Sequence, residues 1–143
     1  MQDEPLYDVI FYRIERTIRK AREYSKRIFK ELGYDLTVEQ WVLLKKVAEQ
    51  EGLTQREISD QTYKEPAAIT RTLDVLVKKQ LVQRTPHPTD RRSFGVYLTL
   101  TGKTTYEALL PHVVAMREQS IKHLSKEALQ QLKQGLDQIY DNL

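Results

Sequence analysis

From Leu6 to Leu32 the apolar residues Leu6, Ile10, Ile14, Ile18, Ala21, Ile28 and Leu32 recur at spacings of three, four and seven. This is one stripe of a long amphipathic helix, which Gly33 ends. A second helix is predicted from "TVEQWVLLKKVAEQEG". Thr37 as N-cap with Gln40 three residues on makes a capping box, Trp41, Leu44, Val47 and Ala48 form the inward face, and Gly52 stops the run. "LTQREISDQ" repeats the device with Thr54 and Glu57 in a helix of about two turns. "TYKE" reads as a turn. "PAAITRTLDVLVKKQ" then starts with Pro66 in the first helical turn, where a missing N–H costs nothing, and carries Ile69, Leu73, Leu76 and Val77 on one face.

Beyond Gln80 the pattern changes period. "LVQRT" and "FGVYLTL" are short, rich in β-branched and aromatic residues, and bracket a proline-containing loop, so they read as a two-stranded ribbon. Thr101 is then placed to cap a helix running to about His123, with Pro111 as a kink. Ser125 caps a last helix in which Leu129, Leu132, Leu136, Ile139 and Leu143 alternate spacings of three and four. That seam is too short to stand alone and must pack on its own chain or on a second copy. The expected fold class is mainly α with a small β-wing: a winged helix-turn-helix at 37–100, between an N-terminal helical segment at 1–36 and C-terminal helices at 101–143.

Composition narrows the functional classes. The 143 residues contain no cysteine, so thiolate metal sites, disulfides and thiol switches are excluded. No apolar run approaches a membrane span, and the acidic start "MQDEPLYDVI" lacks a signal-peptide pattern; a soluble cytoplasmic chain with no membrane partner is expected. His87, His112 and His123 lie far apart and lack metal-ligand spacing. With no phosphate loop and no nucleophile–base–acid set, an enzyme is not expected, nor is a cofactor. The net charge is +3, and between Thr54 and Leu100 eight basic residues face five acidic ones, an excess equal to that whole charge. Such a local excess suits an anionic partner or an ordinary solvated surface.

The element order in that basic segment is a short capped helix, a tight turn, a second helix and a hairpin. In a winged helix-turn-helix the second helix enters the major groove with its N-terminal residues nearest the bases. Here those residues are Pro66, Ala67, Ala68, Thr70 and Arg71. The two alanines permit close approach and offer methyl groups to thymine. Arg71 has the reach for guanine O6 and N7, or pairs instead with Asp74. Thr70, Thr54 and Gln55 are placed to bind phosphate. At the ribbon tip, Asp90-Arg91-Arg92 reads as a probe for the narrow, negative minor groove. Phosphate repels Asp90, so its expected role is to fix one arginine by a charge-assisted hydrogen bond while the other is presented. Spacing alone does not decide which arginine is which.

The stretch "LTQREISDQTYKEPAAITRTLDVLVKKQLVQRTPHPTDRRSFGVYLTLTG" resembles the DNA-binding core of the MarR (multiple antibiotic resistance regulator) family. The likeness lies in D-R-R-S followed by V-Y-L-T-x-x-G and in A-I-T-R-T-L-D; "LTVEQWVLL" resembles the segment ahead of that core. The resemblance implies a homodimer interlocked through its N- and C-terminal helices, which reads a pseudo-palindromic operator in double-stranded DNA. It also implies a repressor that releases DNA when a small aromatic or anionic effector binds between the dimer and DNA-binding regions. Carried onto this chain, Ala67, Ala68, Thr70 and Arg71 face the major groove, and Arg91 and Arg92 serve the wing, Arg92 foremost. An effector cleft between the first helix, the Thr37 helix and the helix after the ribbon would be lined by Tyr12, Arg16, Trp41 and His112. Core packing is the competing role for Trp41, and dimer surface or solvent for Tyr12 and Arg16. One residue departs from the family pattern: Gln80 stands where members commonly have glycine, at a left-handed exit that costs a non-glycine residue roughly 1 kcal/mol. A different class, a helical adaptor that keeps the winged fold without reading DNA, fits the same element order.

Overall fold

A computed structural model describes residues 3–90 and 92–143. Its elements run α1 (Ile10–Glu31), α2 (Val38–Glu49), β1 (Leu53–Thr54), α3 (Gln55–Thr62), α4 (Pro66–Lys78), β2 (Val82–Pro86), β3 (Phe94–Leu98), α5 (Leu100–Ser120) and α6 (Lys126–Asp141). The chain forms two compact units, Met1–Glu107 and Ala108–Leu143. Among the described residues no helix is long and apolar enough to cross a membrane.

Helix α1 starts later than the apolar stripe suggests. The chain from Pro5 to Asp8 makes a turn, closed by the Asp8 N–H on the Pro5 carbonyl at 2.8 Å, and Asp8 then pairs with Arg13 at 3.0 Å. At its far end Gly33, with φ +85°, closes a Schellman motif: its N–H reaches Lys30 O, and that of Tyr34 reaches Phe29 O. Phe29 is the buried residue of α1.

Both capping boxes form as read: Thr37 with Gln40 opens α2, and Thr54 with Glu57 opens α3. The inward face of α2 is Trp41, Leu43, Leu44 and Val47, with Ala48 only half-buried. Helix α2 ends at Glu49, before Gly52. Gly52, at φ +89°, instead turns the chain into β1, its N–H on the Val96 carbonyl.

The ribbon is a three-stranded antiparallel sheet in the order β1-β3-β2, where the sequence indicated two strands. Leu53 faces Val96 and Thr54 faces Gly95; in the hairpin Val82 faces Leu98 and Pro86 faces Phe94. A two-residue strand is too short to show alternation, which is why it escapes a pattern reading. Gly95 admits this close pairing, since a Cβ there would lie 3.1 Å from the Gly52 carbonyl oxygen.

The start of α5 is also corrected. Thr99, not Thr101, supplies the cap: its hydroxyl accepts the Gly102 N–H at 2.9 Å and donates to the Gln80 carbonyl at 2.6 Å. Helix α5 ends at Ser120, short of His123, and runs through Pro111. Ser125 caps α6 on the Ala128 N–H, as expected. No residue of α6 is buried.

Candidate nucleic-acid interface

Helices α3 and α4 are held together by buried Ile58, Ile69, Leu73 and Leu76. Tyr63 turns the chain between them in the left-handed conformation, φ 55°. The half-buried Lys64 carbonyl accepts the Ser59 hydroxyl at 2.5 Å, so the turn is pinned from beneath. Pro66 takes the first position of α4, and Glu65 as N-cap makes no side-chain cap bond. With the apolar stripe inward, Pro66, Ala67, Thr70 and Arg71 are exposed and Ala68 is half-buried. Four of the five expected groove residues therefore stand on the solvent side of the helix.

Asp74 is not engaged by Arg71. Arg84 of β2 takes it, Nη2 to Oδ1 at 2.6 Å, and donates from Nε to Gln55 Oε1 at 2.7 Å. The Gln55 amide donates in turn to Thr70 Oγ1 at 3.0 Å, and that hydroxyl donates to the Pro66 carbonyl at 3.1 Å. Gln55 and Thr70, read from sequence as phosphate ligands, are thus joined to each other and to the sheet. Thr54 is similarly occupied: its hydroxyl accepts the Glu57 N–H, and its own N–H donates to the Glu57 carboxylate. Arg84 was not singled out from sequence. Its partners lie 29 and 10 residues away, and its place in the middle of a strand beginning with buried Val82 was the only local hint of a half-turned-in side chain.

At the ribbon tip the His87 N–H donates to the Ser93 carbonyl at 2.9 Å, closing the hairpin. Asp90 holds the turn from inside. One carboxylate oxygen accepts the backbone N–H of Arg92 and the other the Ser93 hydroxyl, each at 2.9 Å. Asp90 was expected to fix one arginine by a charge-assisted hydrogen bond; among the described residues it holds Arg92 through that residue's main-chain N–H. These hydrogen bonds to the charged form, the Arg92 N–H foremost, hold the Asp90 carboxyl below its ordinary value. The Arg92 side chain is exposed and has no ion pair among the described residues. Arg91, the other wing arginine of the sequence reading, lies outside the described residues.

Of the residues expected to line an effector cleft, Tyr12, Arg16 and Trp41 belong to the first unit and His112 to the second. Trp41 is buried, stacked on Tyr106 at 5.3 Å and tilted against Phe29 at 6.3 Å. Among the described residues its indole N–H has no hydrogen-bond partner. Tyr12 and Arg16 stay exposed on α1, where the Arg16 guanidinium sits 4.8 Å from the centre of the Tyr7 ring. His112, in the second unit, is exposed. Among the described residues no group of three or more His, Asp or Glu side chains is placed to hold a metal ion.

Comparison with known proteins gives the same picture. Residues 36–94 match the MarR family model. The HTH-type transcriptional repressor NicR of Pseudomonas putida is 30% identical over 125 residues, 86% of this chain and 78% of that protein. In fold the chain is similar to MepR of S. aureus, solved as a DNA complex, with a TM-score of 0.86 at 23% identity over 94% of this chain and 98% of that one. It is similar too to BpsR of Bordetella bronchiseptica, whose DNA binding is regulated by 6-hydroxynicotinic acid, with a TM-score of 0.87 at 17% identity over 98% and 99%. The capped α3–α4 pair, the arginine-bearing wing and these likenesses agree: the chain belongs to the MarR family of winged-helix transcriptional regulators.

Proposed function

We propose that the chain is a homodimeric, sequence-specific DNA-binding repressor that releases its operator when a small aromatic or anionic effector binds. The observation that carries this reading is the outward face of α4, where Pro66, Ala67, Thr70 and Arg71 are all exposed on a helix fixed along its other side. Small side chains beside a long guanidinium suit close approach to base edges. The wing adds Arg92, its backbone tied to Asp90 and its side chain exposed, for the minor groove. Arg91 shares that assignment by sequence.

The dimer rests on apolar surface that the single chain leaves uncovered. Leu6, Ile10, Phe11 and Ile18 are exposed at and along α1, and Leu132, Leu136 and Leu143 along the end of the chain. Isolated exposed apolar residues are ordinary, but stripes of them at helical spacing mark a surface for another helix. On this basis 1–36 and 101–143 serve dimerisation, and 37–100 reads DNA. Effector release is supported by the likeness to BpsR, whose DNA binding a pyridine acid regulates. Tyr12, Arg16, Trp41 and His112 are the effector residues that the resemblance assigns.

The test is selection of bound duplexes from a random pool, repeated with aromatic acids, together with a salt titration on the recovered site. A pseudo-palindromic consensus is expected, with log K falling against log salt by roughly 0.9 per phosphate neutralised. A helical adaptor without DNA reading would recover no consensus and show no such slope.

A further inference from the structure

Arg71 and Asp74 sit three residues apart on α4, neighbours on one helix surface. A carboxylate in that position attracts the guanidinium beside it and draws it along the helix. In this chain Asp74 is already bound to Arg84 of β2, at 2.6 Å, while the same guanidinium is anchored by Gln55 at 2.7 Å. Two fixed acceptors and a side chain only 24% exposed favour Arg84 over the exposed Arg71 for that carboxylate. Among the described residues Arg71 has no ion pair. We propose that Arg84 is a positioning residue for base reading: by occupying Asp74 it leaves the Arg71 guanidinium free to reach a duplex.

The inference rests on the reading of α4 as the helix that meets bases, and it deepens that reading. Arg84 itself touches no DNA in this scheme. Its effect passes through a competition, so removing the captured carboxylate must cancel the effect of removing the captor. A merely structural role for Arg84 predicts loss in Asp74→Ala as well and no recovery in the double variant, since removing either member already breaks the brace.

The experiment compares bound-duplex selections for the full-length wild type and the variants Arg71→Ala, Asp74→Ala, Arg84→Met and Asp74→Ala/Arg84→Met. Arg71→Ala identifies the base position that depends on Arg71. At that position Arg84→Met is expected to lose preference by roughly 5- to 150-fold, the range of a bidentate base contact, with the salt slope unchanged. The double variant is expected to regain it, and Asp74→Ala alone to keep it. Retention of the preference in Arg84→Met overturns the proposal, as does failure of the double variant to recover. If Arg84→Met does not fold, loss of the preference in Asp74→Ala serves as the overturning result and its retention as support. A wild type with no preference at all sinks the assignment of α4 beneath it, which is a separate and recognisable failure.

Discussion

The first turn of α5 lies so close to the exit of α4 that a Cβ on Gly102 would stand 1.8 Å from the Leu81 carbonyl oxygen. That oxygen already accepts the Thr99 N–H at 3.1 Å, so the ribbon, the end of α4 and the start of α5 meet around one peptide. Backbone on both sides leaves nothing to yield. Gly102→Ala is therefore expected to destabilise the protein by about 3 kcal/mol, the upper end of overpacking costs. The check is the urea midpoint at unchanged m-value; a shift within error would mean that the two segments separate freely.

A second strain sits at the same junction. Gln80 adopts φ 61° in a Schellman motif, its N–H on Val77 O and that of Leu81 on Leu76 O. Its side chain is exposed and its carbonyl receives the Thr99 hydroxyl, an interaction glycine keeps. Gln80→Gly is expected to stabilise by roughly 1 kcal/mol, the left-handed cost that a non-glycine residue carries. Thermal unfolding measures it, and operator affinity should not change.

The Gln80 strain was legible only through the family resemblance, which puts glycine at that helix exit. The capping boxes at Thr37 and Thr54 were legible from the residues themselves, because a cap is local, both partners lying within one turn. What the sequence hid was either too short or too distant. Strand β1 has two residues, and Thr99 rather than Thr101 caps α5 because the close approach of Leu81 sets where that helix begins. The Arg84 brace joins residues up to 29 positions apart, and no periodicity announces it. The hydrogen bond from the Arg92 N–H to Asp90 was not legible either, since the fold of the turn decides which backbone donors reach a carboxylate.

That geometry gives the wing a pH dependence. Asp90 is depressed below its ordinary value of 3.8, so its contribution is fully present above that value and is lost as pH falls through the lower folded-state pKa. The Arg92 amide should keep its protection factor, the observed rate corrected for intrinsic exchange, from neutral pH down to about pH 4 and lose it in more acid solution. Asp90→Ala should give the fast-exchanging amide already at neutral pH with little change in global melting. Hydrogen exchange followed by NMR reports both; an Arg92 amide indifferent to the substitution would show that the carboxylate does not hold the turn.

Arg92→Ala is expected to weaken binding to the selected duplex by more than tenfold, consistent with loss of an inserted guanidinium and its phosphate neighbours. Because the side chain is exposed and unpaired among the described residues, folding and self-association should be untouched. Fluorescence anisotropy at fixed salt measures the loss, and sedimentation checks the assembly. Wild-type affinity in this variant would remove the wing tip from the mechanism.

The proposed dimer depends on the apolar seam that runs along α6 and on to Leu143 beyond its end. Leu132 is 51% exposed, Leu136 39% and Leu143 91%, while Leu129 and Ile139 are half-buried. Full burial of a Leu or Ile side chain contributes roughly 1.5–3 kcal/mol. A partner that covers several of these residues therefore supplies much of a tight dimer's free energy, before the entropic cost of association is subtracted. Replacing Leu132 and Leu136 together by aspartate removes that gain and adds two buried charges. Helical content should stay close to wild type, since both positions are on an exposed face of a helix capped by Ser125. The dissociation constant should rise by more than about 100-fold, equivalent to roughly 2.7 kcal/mol, and deletion of 125–143 should leave monomers or aggregates. Analytical ultracentrifugation over a concentration series makes the measurement. A dimer that survives both changes places the interface on another surface.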